Sequence, residues 1–95
     1  MRLKDSDKNA ILQQTSRFAP GGDTYLFGSR TDSAARGGDI DILLLTQTKL
    51  PLRLLREMRR AILSEIGEQK LDIVNFSRGQ QHPFKDIALQ GAVKL

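Results

Sequence analysis

The sequence predicts an α/β (α+β) fold, a small mixed β-sheet of about three strands with helices packed on it. Segments with helical apolar spacing alternate with short runs of branched and aromatic residues, in the order helix, strand, short helix, strand, helix, strand, helix. Proline or glycine stands at most of the boundaries between these segments. No linker or internal repeat interrupts the 95 residues, so we expect one domain spanning residues 1–95.

The amino-terminal half predicts a helix followed by two strands. Residues 5–22 offer Asp5 or Ser6 as an N-cap, apolar residues at helical spacing and a Pro-Gly-Gly stop. "DTYLFG" (23–28) predicts the first strand, and "SRTDSAARGG" (29–38) predicts a short helical turn and a glycine break. "DIDILLLT" (39–46) predicts the second strand. Both of its faces are apolar beyond the aspartates, so we expect it at the centre of the sheet.

The carboxyl-terminal half predicts two helices around a third strand. "LPLRLLREMRRAILSEIGEQ" (50–69) begins at Pro51, ends at Gly67 and carries one apolar stripe made of Leu52, Leu55, Met58, Ile62 and Ile66. Its opposite side carries Arg53, Arg56 and Arg60. A solvated helix face is the more common role for such arginines, and a surface for polynucleotide or an acidic partner is the alternative. "KLDIVNF" (70–76) predicts the third strand, and the last helix is expected from about Pro83 to Gln90, before an "AVKL" tail.

Composition narrows the possible chemistry. The formal charge of +4 suits polyanionic partners such as nucleotides or nucleic acid. With no cysteine and a single histidine, the chain excludes a disulfide scaffold, thiol catalysis and structural zinc, so any metal must be held by oxygen. The longest apolar run, 42–45, is far too short to span a membrane, and no signal-peptide pattern is present. We therefore expect a cytoplasmic protein without a membrane partner.

Three aspartates lie where the strands should begin. Asp39 and Asp41 must share a face of the second strand, about 7 Å apart, where their charges repel unless a cation lies between them. Oxygen-only ligands favour Mg²⁺ or Mn²⁺. Asp72 opens the third strand in the same manner, so the three carboxylates converge at one sheet edge if the two strands are neighbours. Such a set can hold two metal ions for an in-line phosphoryl displacement.

The Gly28-Ser29 pair follows the first strand and is a candidate phosphate site. Glycine permits close backbone approach, and a helix beginning at Ser29 would point N–H groups and a hydroxyl towards an anion. Arg30 adjoins the pair and can add a cation. Each feature alone has an ordinary interpretation, namely a helix cap, a pair of turn aspartates or a surface aspartate. Their combination with the strand pattern indicates nucleotide chemistry.

The stretch "LFGSRTDSAARGGDIDILLL" resembles the signature of the DNA polymerase β nucleotidyltransferase superfamily and is most similar to its minimal nucleotidyltransferases. "KLDIVNF" matches the later strand of that family, and "PFKDIALQGAVKL" resembles its closing helix and tail. The resemblance implies a polymerase β-like fold. It also implies that Asp39 and Asp41 bind metal and that Asp72 is the third ligand or base. Gly28 and Ser29 would hold the triphosphate, with Arg30 beside them.

The same resemblance implies an activity: transfer of a nucleoside monophosphate, AMP from ATP, to an acceptor hydroxyl with release of pyrophosphate. Another protein would present the acceptor, and the family suggests a HEPN-type toxin with this chain as its antitoxin. One alternative is a non-catalytic antitoxin or nucleic-acid-binding module that keeps the fold. Another is transfer to a small molecule of the aminoglycoside type, for which a homo-oligomer would build the pocket.

Overall fold

The computed structural model describes residues 3–28 and 39–95. These ranges contain seven helices and strands: α1 (Asp5–Phe18), β1 (Asp23–Phe27), β2 (Asp39–Thr46), α2 (Leu52–Ile66), β3 (Lys70–Ser77), α3 (Pro83–Leu89) and β4 (Val93–Lys94). The predicted short helical turn at 29–38, including Ser29 and Arg30, lies outside the described residues. The alternation of helices and strands is confirmed for the remainder.

The described strands form one mixed sheet in the order β3-β2-β1-β4. β2 and β3 are parallel, whereas β1 is antiparallel to both β2 and β4. The central position predicted for β2 is therefore confirmed, and the class is mixed α+β.

The predicted count of about three strands is wrong, because the tail adds a fourth. Val93 pairs with Leu26 and Lys94 with Tyr25, and the Leu95 N–H donates to the Thr24 carbonyl at 2.9 Å. Two residues are too few to show a period of two. The unpaired backbone of β1, rather than the tail's own sequence, gives this segment its partner.

The observed start of α1 differs from the prediction, whereas the ends of α2 agree with it. α1 begins one residue early, because the Lys8 N–H already donates to the Lys4 carbonyl at 2.9 Å. Lys4 occupies the N-cap position without a side-chain hydrogen bond, so the prediction of Asp5 or Ser6 as cap is wrong. Asp5 instead lies in the first turn, where its negative charge favours the positive helix end. α2 follows Pro51 and stops at Gly67, whose φ of +86° favours glycine, as predicted.

α1 and α2 cover one face of the sheet and enclose the main core. Its side chains include several with no exposed surface: Ile11, Leu26, Ile40, Ile42, Leu44, Met58, Ile62 and Leu71. Each such burial stabilises the fold by about 1.5–3 kcal/mol. Leu52 was expected in the buried stripe but is 62% exposed, because it is the first residue of α2 and precedes the turns that reach the sheet.

α3 contributes to a second, smaller cluster on the opposite face of the sheet. Leu43, Phe76 and Ala88 are buried there, with Tyr25 and Phe27 partly buried against them. Asp39, Asp41 and Asp72 belong to this same face by the alternation of strand residues. In the two described ranges, no helix is both long enough and apolar enough to span a membrane.

Candidate active site

The parallel ladder between β2 and β3 aligns the carboxylates predicted from the sequence. Asp41 is the register partner of Asp72, and Asp39 is the register partner of Lys70. Parallel register partners project to the same face from strands about 4.8 Å apart. Asp39 is on that face as well, two residues before Asp41. The three aspartates thus share one face at the amino-terminal ends of two neighbouring strands.

Gly28 brings the end of β1 directly against Asp41. Its φ of +74° is a left-handed conformation that L side chains rarely adopt. A Cβ atom added to Gly28 would collide with the Asp41 carboxylate oxygen Oδ2 and lie 3.2 Å from its Cγ. Phe27, the preceding residue, is the register partner of Asp41 in the antiparallel ladder. The glycine predicted for close approach is therefore in contact with one of the predicted metal-binding carboxylates.

The electrostatics of the face centre on Asp41. Burial raises the pKa of its carboxyl above the usual value, and the charges of Asp72 and Asp39 raise it further. Lys70 opposes this effect and favours the ionised form. Part of this pKa shift therefore comes from the negative charges of Asp72 and Asp39, and a bound cation would offset that part.

The carboxylate side chains are not gathered into one ligand set. Among the residues described, no three acidic or histidine side chains are close enough together to hold a metal ion. The strand register accounts for the alignment of the backbones, while repulsion between Asp41 and its two acidic neighbours opposes closer approach of the side chains. Metal binding by Asp39, Asp41 and Asp72 remains a prediction.

The strands that carry the aspartates are firmly anchored. Three residues of β2 that follow its aspartates or lie between them have no exposed surface: Ile40, Ile42 and Leu43. The Arg59 guanidinium of α2 donates to the Leu71 carbonyl of β3 at 2.8 Å. Farther along the strands, Asn75 donates to the Leu44 carbonyl at 3.0 Å and accepts from the Leu50 N–H at 2.7 Å. The carboxylates therefore project from a rigid sheet.

Two residues on the same side of the sheet as the carboxylates were not predicted from the sequence. Lys70 lies opposite Asp39, and the period of two in "KLD" is the signal that could have placed it on the acidic face. Phe84 of α3 reaches the ring of Phe27, with the two ring centroids 5.9 Å apart. No local sequence pattern predicts the contact between Phe84 and Phe27, because it depends on how α3 packs on β1.

His82 and Arg60 have different surroundings. His82 precedes Pro83, where the last helix is expected to begin, and it is the N-cap of α3: its Nδ1 accepts the Phe84 N–H at 3.0 Å. Its ring lies 5.3 Å from the ring of Phe76, on the face that carries the carboxylates. Arg60 lines an open groove of about 350 Å³ between α1 and α2, together with Arg17, Phe18 and Glu57. This groove is on the helical side of the sheet, so it is not continuous with the carboxylates.

No protein-family model and no curated protein matches this chain. The roles of the site residues therefore depend on the residues themselves and on their arrangement.

Proposed function

We propose that this chain is a metal-dependent nucleotidyltransferase that transfers AMP from ATP to an acceptor hydroxyl. The observation that carries the proposal is the alignment of Asp41 with Asp72 directly beside Gly28. The backbone at Gly28 can approach a phosphate group closely, because glycine has no side chain. The neighbouring carboxylate oxygens can bind a metal ion, so the two parts of a nucleotide site lie side by side.

The reaction would be an in-line displacement at phosphorus. The acceptor oxygen forms a bond to the α-phosphorus of ATP, the bond from that phosphorus to the bridging α–β oxygen breaks, and pyrophosphate leaves. The acceptor proton passes to the carboxylate of Asp72. Gly28 would hold the polyphosphate beside Asp41, so that the α-phosphorus faces the acidic residues; the resemblance adds Ser29 to this phosphate site.

The donor set suits a hard divalent cation. Carboxylate oxygens are the ligands that Mg²⁺ and Mn²⁺ prefer, and no cysteine competes with them. Asp39, Asp41 and Asp72 would hold the ion, which when bound would neutralise the charge developing on the phosphoryl oxygens. Burial is the main cause of the raised pKa of Asp41, and the charges of Asp72 and Asp39 raise it further; a bound cation would offset that second contribution.

The acceptor is proposed from the sequence resemblance, which suggests a HEPN-type protein with this chain as its antitoxin. The net charge of +4 suits a polyanionic nucleotide. By the same resemblance, the acceptor hydroxyl belongs to a partner protein.

Transfer of α-labelled ATP tests the proposal. The chain, Mg²⁺ and a HEPN-type candidate partner are incubated, and covalent label on the partner is measured. We expect strong labelling by the wild type and loss of most of it with Asp39→Asn/Asp41→Asn. A matched control, Asp5→Asn/Glu57→Gln, removes two exposed negative charges from α1 and α2, the helices on the opposite face of the sheet, and should keep the activity. Equal labelling by the wild type and the site variant would refute the assignment.

A non-catalytic binding module is the second candidate function. The observation favouring it is that the described acidic side chains do not form a metal-binding cluster. A protein that binds Mg²⁺ and ATP in its native state must be stabilised by them. Unchanged thermal stability upon addition of both would favour the binding module, whereas a rise abolished by Asp39→Asn/Asp41→Asn would favour the enzyme.

A further inference from the structure

Phe84 is a large apolar side chain that the core does not cover. It lies in the first turn of α3 and is 42% exposed. Its ring meets the ring of Phe27 edge to face, with an interplanar angle of 79°, and the buried Phe76 is 6.4 Å away between ring centroids. These three rings form an aromatic shelf, of which Phe84 is the exposed part.

The shelf lies on the face of the sheet that carries Asp39, Asp41 and Asp72. Phe27 is the register partner of Asp41, and Gly28, the next residue, touches the Asp41 carboxylate. An apolar, flat surface and a glycine turn beside carboxylates therefore lie next to each other. A nucleoside triphosphate has two matching parts, a flat base at one end and a charged polyphosphate at the other.

α3 holds Phe84 in place. The buried ammonium group of Lys85, the next residue, donates to the carbonyls of Ser77, Arg78 and Gln80 at 3.2, 2.9 and 2.8 Å. The Phe84 N–H is bound by the Nδ1 of His82. An exposed ring on a fixed backbone is a suitable stacking surface, because little conformational freedom is lost when a ligand binds.

We propose that Phe84, supported by Phe27, stacks on the base of the nucleoside triphosphate whose phosphates bind at Gly28 and the carboxylates. This proposal rests on the proposed function. Aromatic stacking tolerates different bases because every base has a π-face. The three phenyl rings offer no hydrogen-bond donor or acceptor with which to distinguish adenine from guanine. Stacking on the shelf therefore favours the purines of ATP and GTP alike over the smaller pyrimidine of UTP.

Titration calorimetry on the full chain with Mg²⁺ separates the shelf from the phosphate site. The ligands are ATP, GTP, UTP and inorganic tripolyphosphate. Phe84→Leu keeps an apolar side chain but removes the ring, and we expect it to weaken ATP and GTP binding by about tenfold. Tripolyphosphate has no base, so its affinity should not change. Leu52→Ala, at an exposed apolar residue of α2, is the control and should bind all four ligands as the wild type does.

A fluorescent base supplies a second measurement. The triphosphate of 2-aminopurine riboside should be quenched upon binding the wild type and less quenched in the complex with Phe84→Leu. Unchanged ATP affinity in Phe84→Leu would overturn the shelf while leaving the proposed function standing, provided that the wild type still binds tripolyphosphate. If the wild type binds neither ATP nor tripolyphosphate, both proposals fail.

Discussion

Replacing Gly28 with alanine tests the contact that joins β1 to the acidic face. An alanine at a φ of +74° costs about 1–2 kcal/mol, because its Cβ crowds the following carbonyl. The new methyl group would also collide with the Asp41 carboxylate and force it from its preferred rotamer, at a further cost of about 0.5–1.5 kcal/mol. We expect Gly28→Ala to lower the free energy of unfolding by about 1.5–3.5 kcal/mol in total.

Two comparisons isolate the collision from the backbone strain. Gly21 has a similar φ of +83°, but an added Cβ there meets no atom within 4 Å, so Gly21→Ala should cost only the strain. In an Asp41→Ala background, the colliding atoms are gone and the nearest Asp41 atom in the contact is the Cβ at 3.5 Å, an ordinary contact. Gly28→Ala should then cost no more than Gly21→Ala.

Urea unfolding followed by far-ultraviolet circular dichroism measures these differences, since the chain has no tryptophan to report by fluorescence. The reasoning is refuted if Gly28→Ala costs no more than Gly21→Ala in the wild-type background. It is equally refuted if the cost of Gly28→Ala is unchanged by Asp41→Ala.

Three further changes probe the charges of the fold. Asp41→Asn should raise the free energy of unfolding at pH 7, because the raised pKa of Asp41 means that its ionised form destabilises the native state. In urea titrations, the difference in unfolding free energy between variant and wild type should shrink as the pH falls towards 3.8. Asp23→Asn should do the reverse. Hydrogen bonds from Arg78 and Lys94 lower the pKa of Asp23, so its contribution is present above pH 3.8 and is lost in acid, where thermal melts of variant and wild type should converge. Lys85→Met leaves three carbonyls without their donor and should cost about 2–3 kcal/mol in urea; a loss below about 0.5 kcal/mol would show that water replaces the ammonium group.

Much of the sheet was predictable because its strands show strong local signals. The predicted bounds of β2, 39–46, are those observed, since a glycine pair and the aspartates mark its start and the aliphatic run gives way to polar residues at its end. The tail strand β4 was missed because its conformation depends on pairing with β1 and not on its own residues. The N-cap of α1 was misplaced because a backbone hydrogen bond begins that helix at Lys4.

The site was predictable in outline for a similar reason. A period of two places Asp39 and Asp41 on one face whatever the tertiary structure. The pairing of Asp41 with Asp72 depends on the register between two strands that are separated by a helix. From the sequence, the convergence of their carboxylates could be predicted only on the assumption that these strands are neighbours. The approach of Phe84 to Phe27 depends on packing between distant elements, so it required the structure.

The central claim concerns which bond of ATP is broken at the acidic face, and parallel reactions with α-labelled and γ-labelled ATP test it most directly. A HEPN-type partner, Mg²⁺ and the wild-type chain are incubated with each nucleotide, and covalent label on the partner is counted. Our account predicts label from the α-position only, with pyrophosphate released in equal amount. Label from the γ-position, or no label from either nucleotide with a partner that binds the chain, would contradict it.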